Sequence, residues 1–521
     1  MKKLISLLLV LAIAVAMLAS CGGGETSQSK SDSESASESE SESVSESESS
    51  LGTDWASVNF GGEELKISIS VNQDRECTFP AADIYTRGPD HASSDNVQKL
   101  VLDRNLQVES TLGLTIVYEE TDWAWDEVYP HLQQLIQLGS ADAPDIYNND
   151  IYGMLRGMLN NQFRNVLDPD TALGEKSYFD FTHEGWYWEY MQGTTFTPEK
   201  IYLVAGDYFI DMIRMAWVLY VNTELFNEVW TSAFGTTEDL YRLVIAGGFD
   251  YSYLSFFFEG GHRDTTNVGT TDKEDEIIGL VASSCFNRMV LWGSGLTAAI
   301  VDDGGARIGV RETLPDFYDM SLAYNSMYQS GGLLRTTGNL DATELFLQKT
   351  SLFVSAVLGE MESEQVRAVE GLTKGVLPAP KYDVEKQDRY HTVVHDQAEI
   401  AAILNTTAKF TEASAWLQMQ NELSVPVLKE YYDKSLKLKY NDDPLNKEMI
   451  DLVHDTIDDP FESVMMCYIL GSATESSAQP ITIIDACAKA NKDTFNSDYE
   501  ALYDAYVTKF EEVYDTYMDL D

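Results

Sequence analysis

Hydrophobic and polar positions alternate along Leu65-Lys66-Ile67-Ser68-Ile69-Ser70-Val71, the two-residue period of a β-strand. From Ser94 to Leu112 the apolar positions Val97, Leu100, Val101, Leu106 and Val108 suit one face of a helix, and Leu114-Thr115-Ile116-Val117-Tyr118 then reads as a second strand. A helix from Trp125 to Leu138, a break at Gly139-Ser140, a short strand at Asp145-Ile146-Tyr147 and a helix from Tyr152 to Asn161 continue the alternation. Strands that alternate with helices predict an α/β fold on a mainly parallel sheet. Further along, Asn222 is placed to cap a helix, because its side-chain oxygen can accept from an unpaired N–H of the first turn. Pro378 and Pro380 bar a helix and favour an extended path. Ser497-Asp498-Tyr499-Glu500 has the form of a capping box, opening a helix whose Tyr499, Tyr503, Tyr506, Phe510, Val513 and Tyr517 make one apolar stripe destined for the core.

The first fifty residues break this pattern. Lys2 and Lys3 precede an apolar run of 15 residues, Leu4 to Leu18, followed by Ala19, Ser20 and Cys21. That order is the layout of an export signal, and the run falls short of the roughly 20 residues a membrane-spanning helix needs. Leu18-Ala19-Ser20-Cys21 resembles a bacterial lipobox, which implies a signal peptide over residues 1–20, a lipid on Cys21, and a protein held at the outer face of the cytoplasmic membrane. Residues 22–50 are Gly-rich and then mostly Ser and Glu, with no aromatic side chain; such a segment cannot bury enough surface to fold. It reads as a tether, extending to about residue 54, with a reach on the order of 30 Å.

Charge narrows the partners. The chain carries −50 overall; removing the +2 of Lys2 and Lys3 and the −7 of residues 22–50 (eight acids and Lys30) leaves −45 on the folded part. A field of that sign repels nucleic acid and anionic lipid headgroups. Beyond Cys21 stand Cys77, Cys285, Cys467 and Cys487, too widely spaced for a zinc ribbon or a dense disulfide scaffold. Buried thiols are expected, with Cys467 and Cys487 the one pairing worth testing.

Catalytic patterns are scarce. His183-Glu184 lacks the second His of H-E-x-x-H; His391 and His395 flank the extended Thr392-Val393-Val394 and share no helical face; Gly293-Ser294-Gly295 has Trp292 where G-x-S-x-G needs glycine. No phosphate-cradling G-x-x-x-x-G-K-[ST] occurs. Glycoside hydrolysis needs only two carboxylates at a set separation, and 85 acidic residues leave it open.

Three ordered segments carry a resemblance. Gly139-Ser140 with Pro144-Asp145-Ile146 and Val166-Leu167, then Val218-Leu219-Tyr220-Val221-Asn222-Thr223-Glu224-Leu225-Phe226, then Gly375-Val376-Leu377-Pro378-Ala379-Pro380-Lys381-Tyr382 are similar to stretches of the carbohydrate-type (family 1) extracellular solute-binding proteins of ABC importers. The resemblance implies a two-lobed periplasmic-binding-protein-like α/β fold of type II, with ligand between the lobes. It places residues 55–213 and 376–395 in an N-terminal lobe, 214–375 and 396–521 in a C-terminal lobe, and crossings near 213–218, 374–378 and 394–400. It implies a monomer without cofactor, metal or catalysis, whose partners are a small polar solute, a sugar first, and the permease subunits. Peptide receptors, surface glycoside hydrolases and sensor or adhesion lipoproteins are the competing classes.

Ligands of open α/β sheets gather beyond the carboxyl ends of strands. Sugars offer hydroxyl edges and weakly apolar faces, which suit carboxylates and amides beside aromatic rings. The candidate contacts are therefore Asp74, Trp123, Trp125, Asn149 and Asp150 after the first three strands, and Asp211 and Arg214 before the first crossing. Trp292 and Glu360 are the candidates from the second lobe, His395 and Asp396 those from the last crossing.

Overall fold

The alternating run at the start of the folded region forms β1 (Glu63–Ser70), which lies between β2 (Leu114–Thr121) and β3 (Ile146–Asp150) and is parallel to both. The computed structural model describes residues 53–71, 83–89, 93–123, 126–138, 143–263, 277–283, 286–302, 305–308, 310–336, 338–439, 443–470 and 479–520. Asp54–Asp521 forms one compact unit, and every element below belongs to it. In β1 not only Leu65, Ile67 and Ile69 but also Ser68 and Ser70 are buried, as expected of a parallel sheet covered on both faces. The helix Asn96–Leu112 crosses between β1 and β2; Asp95 caps it by accepting from the backbone N–H of Val97 and Gln98.

A second sheet follows: β4 (Trp217–Asn222), β5 (Ile278–Ala282), β8 (Leu333–Arg335), β9 (Ser351–Val357) and β10 (Lys374–Leu377), in the order β10-β4-β9-β5-β8, with β6 (Ala299–Asp302) and β7 (Gly305–Ile308) forming a separate hairpin. The last strand, β11 (Glu399–Ile403), returns to the first sheet and pairs antiparallel with β3, giving the order β11-β3-β1-β2. The fold is thus α/β with one sheet in each of two lobes.

Several expectations need correcting. The third strand does not end at Tyr147 but runs to Asp150, because β11 extends the ladder: Ile400 lies opposite Asn149 and Ala401 opposite Asn148. The next helix begins at Val128 rather than at Trp125. Residues 374–377 do not cross between lobes; they pair with β4, and the Val376 N–H donates to Asn446 Oδ1 at 2.7 Å. Strand pairing therefore puts residues 376–377 with the second sheet and 399–403 with the first, the reverse of the lobes expected for them, while 374–375 pair with the second sheet as expected. Ser497 opens no helix: one helix spans Phe495–Glu500, and a new one, Tyr503–Met518, starts after a break. The stripe still reaches the core, with Tyr499, Tyr506, Phe510, Val513 and Tyr517 buried. Cys467 and Cys487 are buried and carry no bridge; Cys77 and Cys285 lie outside the described residues.

The crossings near 213–218 and 394–400 run side by side. Ala216 bridges Val394, the Trp217 N–H donates to the Val393 carbonyl at 2.8 Å, and the His395 N–H to the Met215 carbonyl at 2.8 Å. A third segment joins them, since Thr392 bridges Ile457 and its N–H donates to the Thr456 carbonyl at 2.7 Å.

Asn222 behaves as its position predicts. It ends β4 and its Oδ1 accepts from the Leu225 N–H at 3.2 Å, capping the helix Thr223–Trp230. Asn222→Ala should lower the unfolding free energy by about 1 kcal/mol, read from urea transitions. A change within error would mean that water or a neighbour satisfies that N–H as well.

Candidate functional site

Beside the three crossing segments a cavity of about 530 Å³ opens. Four stretches of chain wall it: residues 189–198, 292–299, 389–394 and 458–463. Two glycines let these walls meet. A Cβ on Gly193 would strike the ring of Pro460, and one on Gly295, whose φ is +69°, would strike the ring of His391. Trp292 arrives at the C-terminal end of the helix Phe286–Trp292, and Tyr190 on the short helix Trp188–Gln192.

The inner wall is aromatic. Tyr190, Phe196, Trp292 and Phe461 are all more than nine-tenths buried, and Phe196 meets Phe461 edge-on at 5.6 Å. Among the described residues neither the Tyr190 hydroxyl nor Trp292 Nε1 has a hydrogen-bond partner. Both atoms are closed off from solvent, so they lie within the wall and not at its face, and each costs stability.

Carboxylates ring the same space. Glu462 accepts from the Ala298 N–H at 2.9 Å and from Thr297 Oγ1 at 3.1 Å; loss of water outweighs these bonds and pushes its carboxyl up to about 7. Asp459 is also shifted upward by desolvation. Burial alone would raise Asp458 as well, but the hydrogen bond from His391 at 2.5 Å and Arg389 at 3.1 Å hold it below the usual carboxylate range. Behind Trp292, Arg288 pairs with Asp396 at 3.1 Å, and His395 Nδ1 lies 2.8 Å from Asp396 and stacks its ring on Trp217. Burial opposes ionisation of Asp396, yet Arg288 and His395 together keep it well below its ordinary value.

Glu462 has a measurable pH signature. Its folded pKa lies above the ordinary 4.5, so the fold favours the protonated form. The stability it contributes is fully present below about pH 4.5 and is lost as pH rises through about 7. Asp207, which burial also raises to about 7, acts in the same sense. Glu462→Gln should melt higher than the parent at pH 8 and not at pH 4.5; equal melting temperatures at pH 8 would show that water reaches the carboxylate.

The structure distributes the expected site residues unevenly. Trp292 lines the cavity, with His395 and Asp396 just behind it. Trp123 stacks at 4.7 Å on His131, whose Nδ1 lies 3.0 Å from the Tyr147 hydroxyl, and it does not reach the cavity. Asn149 and Asp150 are buried in β3; Asn149 Oδ1 accepts from the Asp150 N–H, and Asp150 caps the helix Ile151–Leu159. Asp74, Trp125 and Cys21 lie outside the described residues.

Asp211, Arg214 and Glu360 are buried away from the cavity, the first two in an ionic set at the first crossing. Arg214 contacts Asp211 Oδ1 at 3.0 Å and Glu362 Oε1 at 2.9 Å, with its guanidinium over the Tyr85 ring. Tyr85 and Tyr431 donate hydroxyls to Glu362, and Asp211 Oδ2 accepts from the Glu399 N–H at the start of β11. Burial and then the charge of Glu360 hold the Tyr220 hydroxyl well above its ordinary value, so it stays protonated. The cavity residues absent from the expected set, chiefly Tyr190, Asp459, Phe461 and Glu462, sit where no strand end precedes them. The turn signal Asp458-Asp459-Pro460 was the only mark in the sequence of Asp459, Phe461 and Glu462.

Among the described residues no group of three or more His, Cys, Asp or Glu side chains could hold a metal ion, and no helix is long and apolar enough to cross a membrane.

Taken with the two sheets and their crossings, this architecture is that of the two-lobed periplasmic binding proteins. The sugar-binding protein MalE from the phytopathogen Xanthomonas citri superposes with a TM-score of 0.54 at 10% identity, over 88% of this chain and 100% of its own. The GacH receptor of Streptomyces glaucescens GLA.O, solved unliganded and with acarbose and an acarbose homolog, gives 0.50 at 10% identity over 86% and 99%. UgpB from Mycobacterium tuberculosis, in complex with glycerophosphocholine, gives 0.50 at 12% identity over 81% and 97%. No family model matches the sequence, and no curated protein matches it.

Proposed function

We propose that this protein is an extracellular solute-binding lipoprotein that captures a mono- or oligosaccharide between its lobes and delivers it to the permease of an ABC importer. The observation that carries the reading is the cavity beside the crossings, where aromatic faces and carboxylates converge. Ring faces take the apolar faces of a sugar and carboxylates its hydroxyls. The structural neighbours bind sugars in two of three cases, which supports the same solute class; the carboxylate-rich wall favours it over the phosphodiester that UgpB holds. The protein performs no chemistry on its ligand and works by closure, so ligand must touch both lobes to shift the equilibrium.

A thermal-shift screen over sugars tests this directly, since a ligand at 100 times its Kd stabilises the fold by about 2.7 kcal/mol. Peptides that shift the transition where sugars do not would replace the solute class. Reducing sugar released from an oligosaccharide, and abolished by Glu462→Gln, would make the protein a glycoside hydrolase instead.

Anchoring rests on Lys2, Lys3, the apolar run and Cys21. Two acyl chains on Cys21 hold a protein at a membrane where one does so only reversibly. Cys21→Ala should therefore move the protein out of the membrane fraction or leave an unprocessed precursor; normal maturation and fractionation would exclude Cys21 as the anchor.

A further inference from the structure

We infer that Glu462 is the residue by which the cavity reads a sugar hydroxyl, accepting it as a carboxylate, so that capture expels a proton from the site. The inference rests on the sugar-binding reading and adds to it a specificity-determining residue and a linked proton.

Few polar atoms of the wall reach the space itself. The Tyr190 hydroxyl and Trp292 Nε1 do not, being sealed within the wall. Glu462 does: its Oε2 is tied at 2.9 Å to the Ala298 N–H and at 3.1 Å to Thr297 Oγ1, which holds the carboxyl in place. Among the described residues its Oε1 has no hydrogen-bond partner and is not sealed off, on a half-buried residue that lines the cavity. Ser463 Oγ, next along the chain, and the Gln192 side-chain amide are open in the same way. One anchored acceptor beside a hydroxyl and an amide suits sugar hydroxyls, each of which donates and accepts. A site built to pair a hydroxyl discriminates by it, because an analogue without that hydroxyl leaves the site's polar group unpaired.

The proton follows from where Glu462 sits. Loss of water outweighs the two bonds on Oε2 and, with the charge of Asp459, raises its carboxyl to about 7. A ligand hydroxyl donated to Oε1 favours the charged form and draws that value down. Below about pH 7 the ligand-free carboxyl holds a proton that capture must expel, so affinity rises with pH through that range and levels off above it. The charged and titratable neighbours are Asp459, then Asp458 with His391 and Arg389, and Tyr499 on the helix Phe495–Glu500. Asp458 stays ionised and Tyr499 protonated throughout. Histidines change charge in the same range, so the control removes Glu462 and keeps His391 and Asp459.

The test is isothermal titration of the full-length protein with maltose, cellobiose, lactose and xylobiose. The tightest-binding of the four should bind about tenfold tighter at pH 8 than at pH 5.5. At pH 6.5, titration in two buffers of unequal ionisation heat should register about half a proton released per sugar bound. Glu462→Gln, nearly isosteric, should bind with an affinity that no longer follows pH and should release no proton, with a melting curve to establish that it folds. If it melts early, proton release from the parent decides alone. A parent that binds equally at both pH values and releases no proton, or a pH dependence that survives Glu462→Gln, would overturn the inference and leave the sugar-binding reading standing. Silence from all four sugars would remove both.

Discussion

Replacing Arg214 by alanine should lower the unfolding free energy by about 3–5 kcal/mol, the typical cost of stripping one partner from a buried ion pair. The side chains of Arg214 and Asp211 are fully buried and that of Glu362 nearly so. Burial by itself would lower the Arg214 pKa, but Glu362, Tyr85 and Asp211 hold it well above its ordinary value, so the guanidinium stays charged. Its loss leaves the carboxylates of Asp211 and Glu362 in a dry setting without their cation and takes the guanidinium off the Tyr85 ring. The contacts join Tyr85, the crossing itself, the turn after β9 and the first residue of β11, so the damage reaches both sheets. Urea unfolding reads the loss. Adding Glu362→Gln to Arg214→Met should recover part of it, because the remaining buried charge is then halved. A loss below 1 kcal/mol would mean that water enters the cluster.

Trp292→Ala should weaken the tightest-binding sugar about thirtyfold or more, since truncating a buried aromatic anchor commonly costs at least 2 kcal/mol of binding. The substitution removes the one ring that reaches the cavity from the helix Phe286–Trp292, together with its partnerless Nε1. Trp292→Phe keeps a face for stacking, so its loss should be smaller. Titration with sugar, beside a melting curve to establish folding, measures both. If both variants keep the parent affinity, the ligand sits elsewhere.

How far the sequence carried these readings depends on what kind of signal each residue leaves. β1, the helix Asn96–Leu112 and β2 were legible because burial acts on a short repeat, period 2 or 3.6, within a few turns of chain. Asn222 was legible because its role is local, a side chain and an N–H three residues apart. The extension of β3 to Asp150 was not, since it is imposed by β11, about 250 residues away; Asn148 and Asn149 read as loop until that partner is known. The same distance hid the ionic set, where Arg214 was taken for a ligand contact although Glu362, 148 residues on, pairs with it. Trp292 was found through its aromatic character. Tyr190, Phe461 and Glu462 were missed because the strand-end rule looks beyond sheets, and the cavity is walled by irregular chain next to the crossings.

The late arrival of β11 also bears on how the chain folds. β3 cannot acquire its second neighbour until residues 399–403 have been made, and every residue of β3 and β11 is buried in the finished sheet. Pairings of such long sequence separation slow folding, because the loop must close before the contact rewards it. In the interval β3 presents an open, wholly buried-type edge, the kind of surface on which unfinished chains associate with one another. Refolding from urea should therefore be slow and concentration-sensitive, and a chain cut short before residue 399 should aggregate rather than fold to a smaller protein.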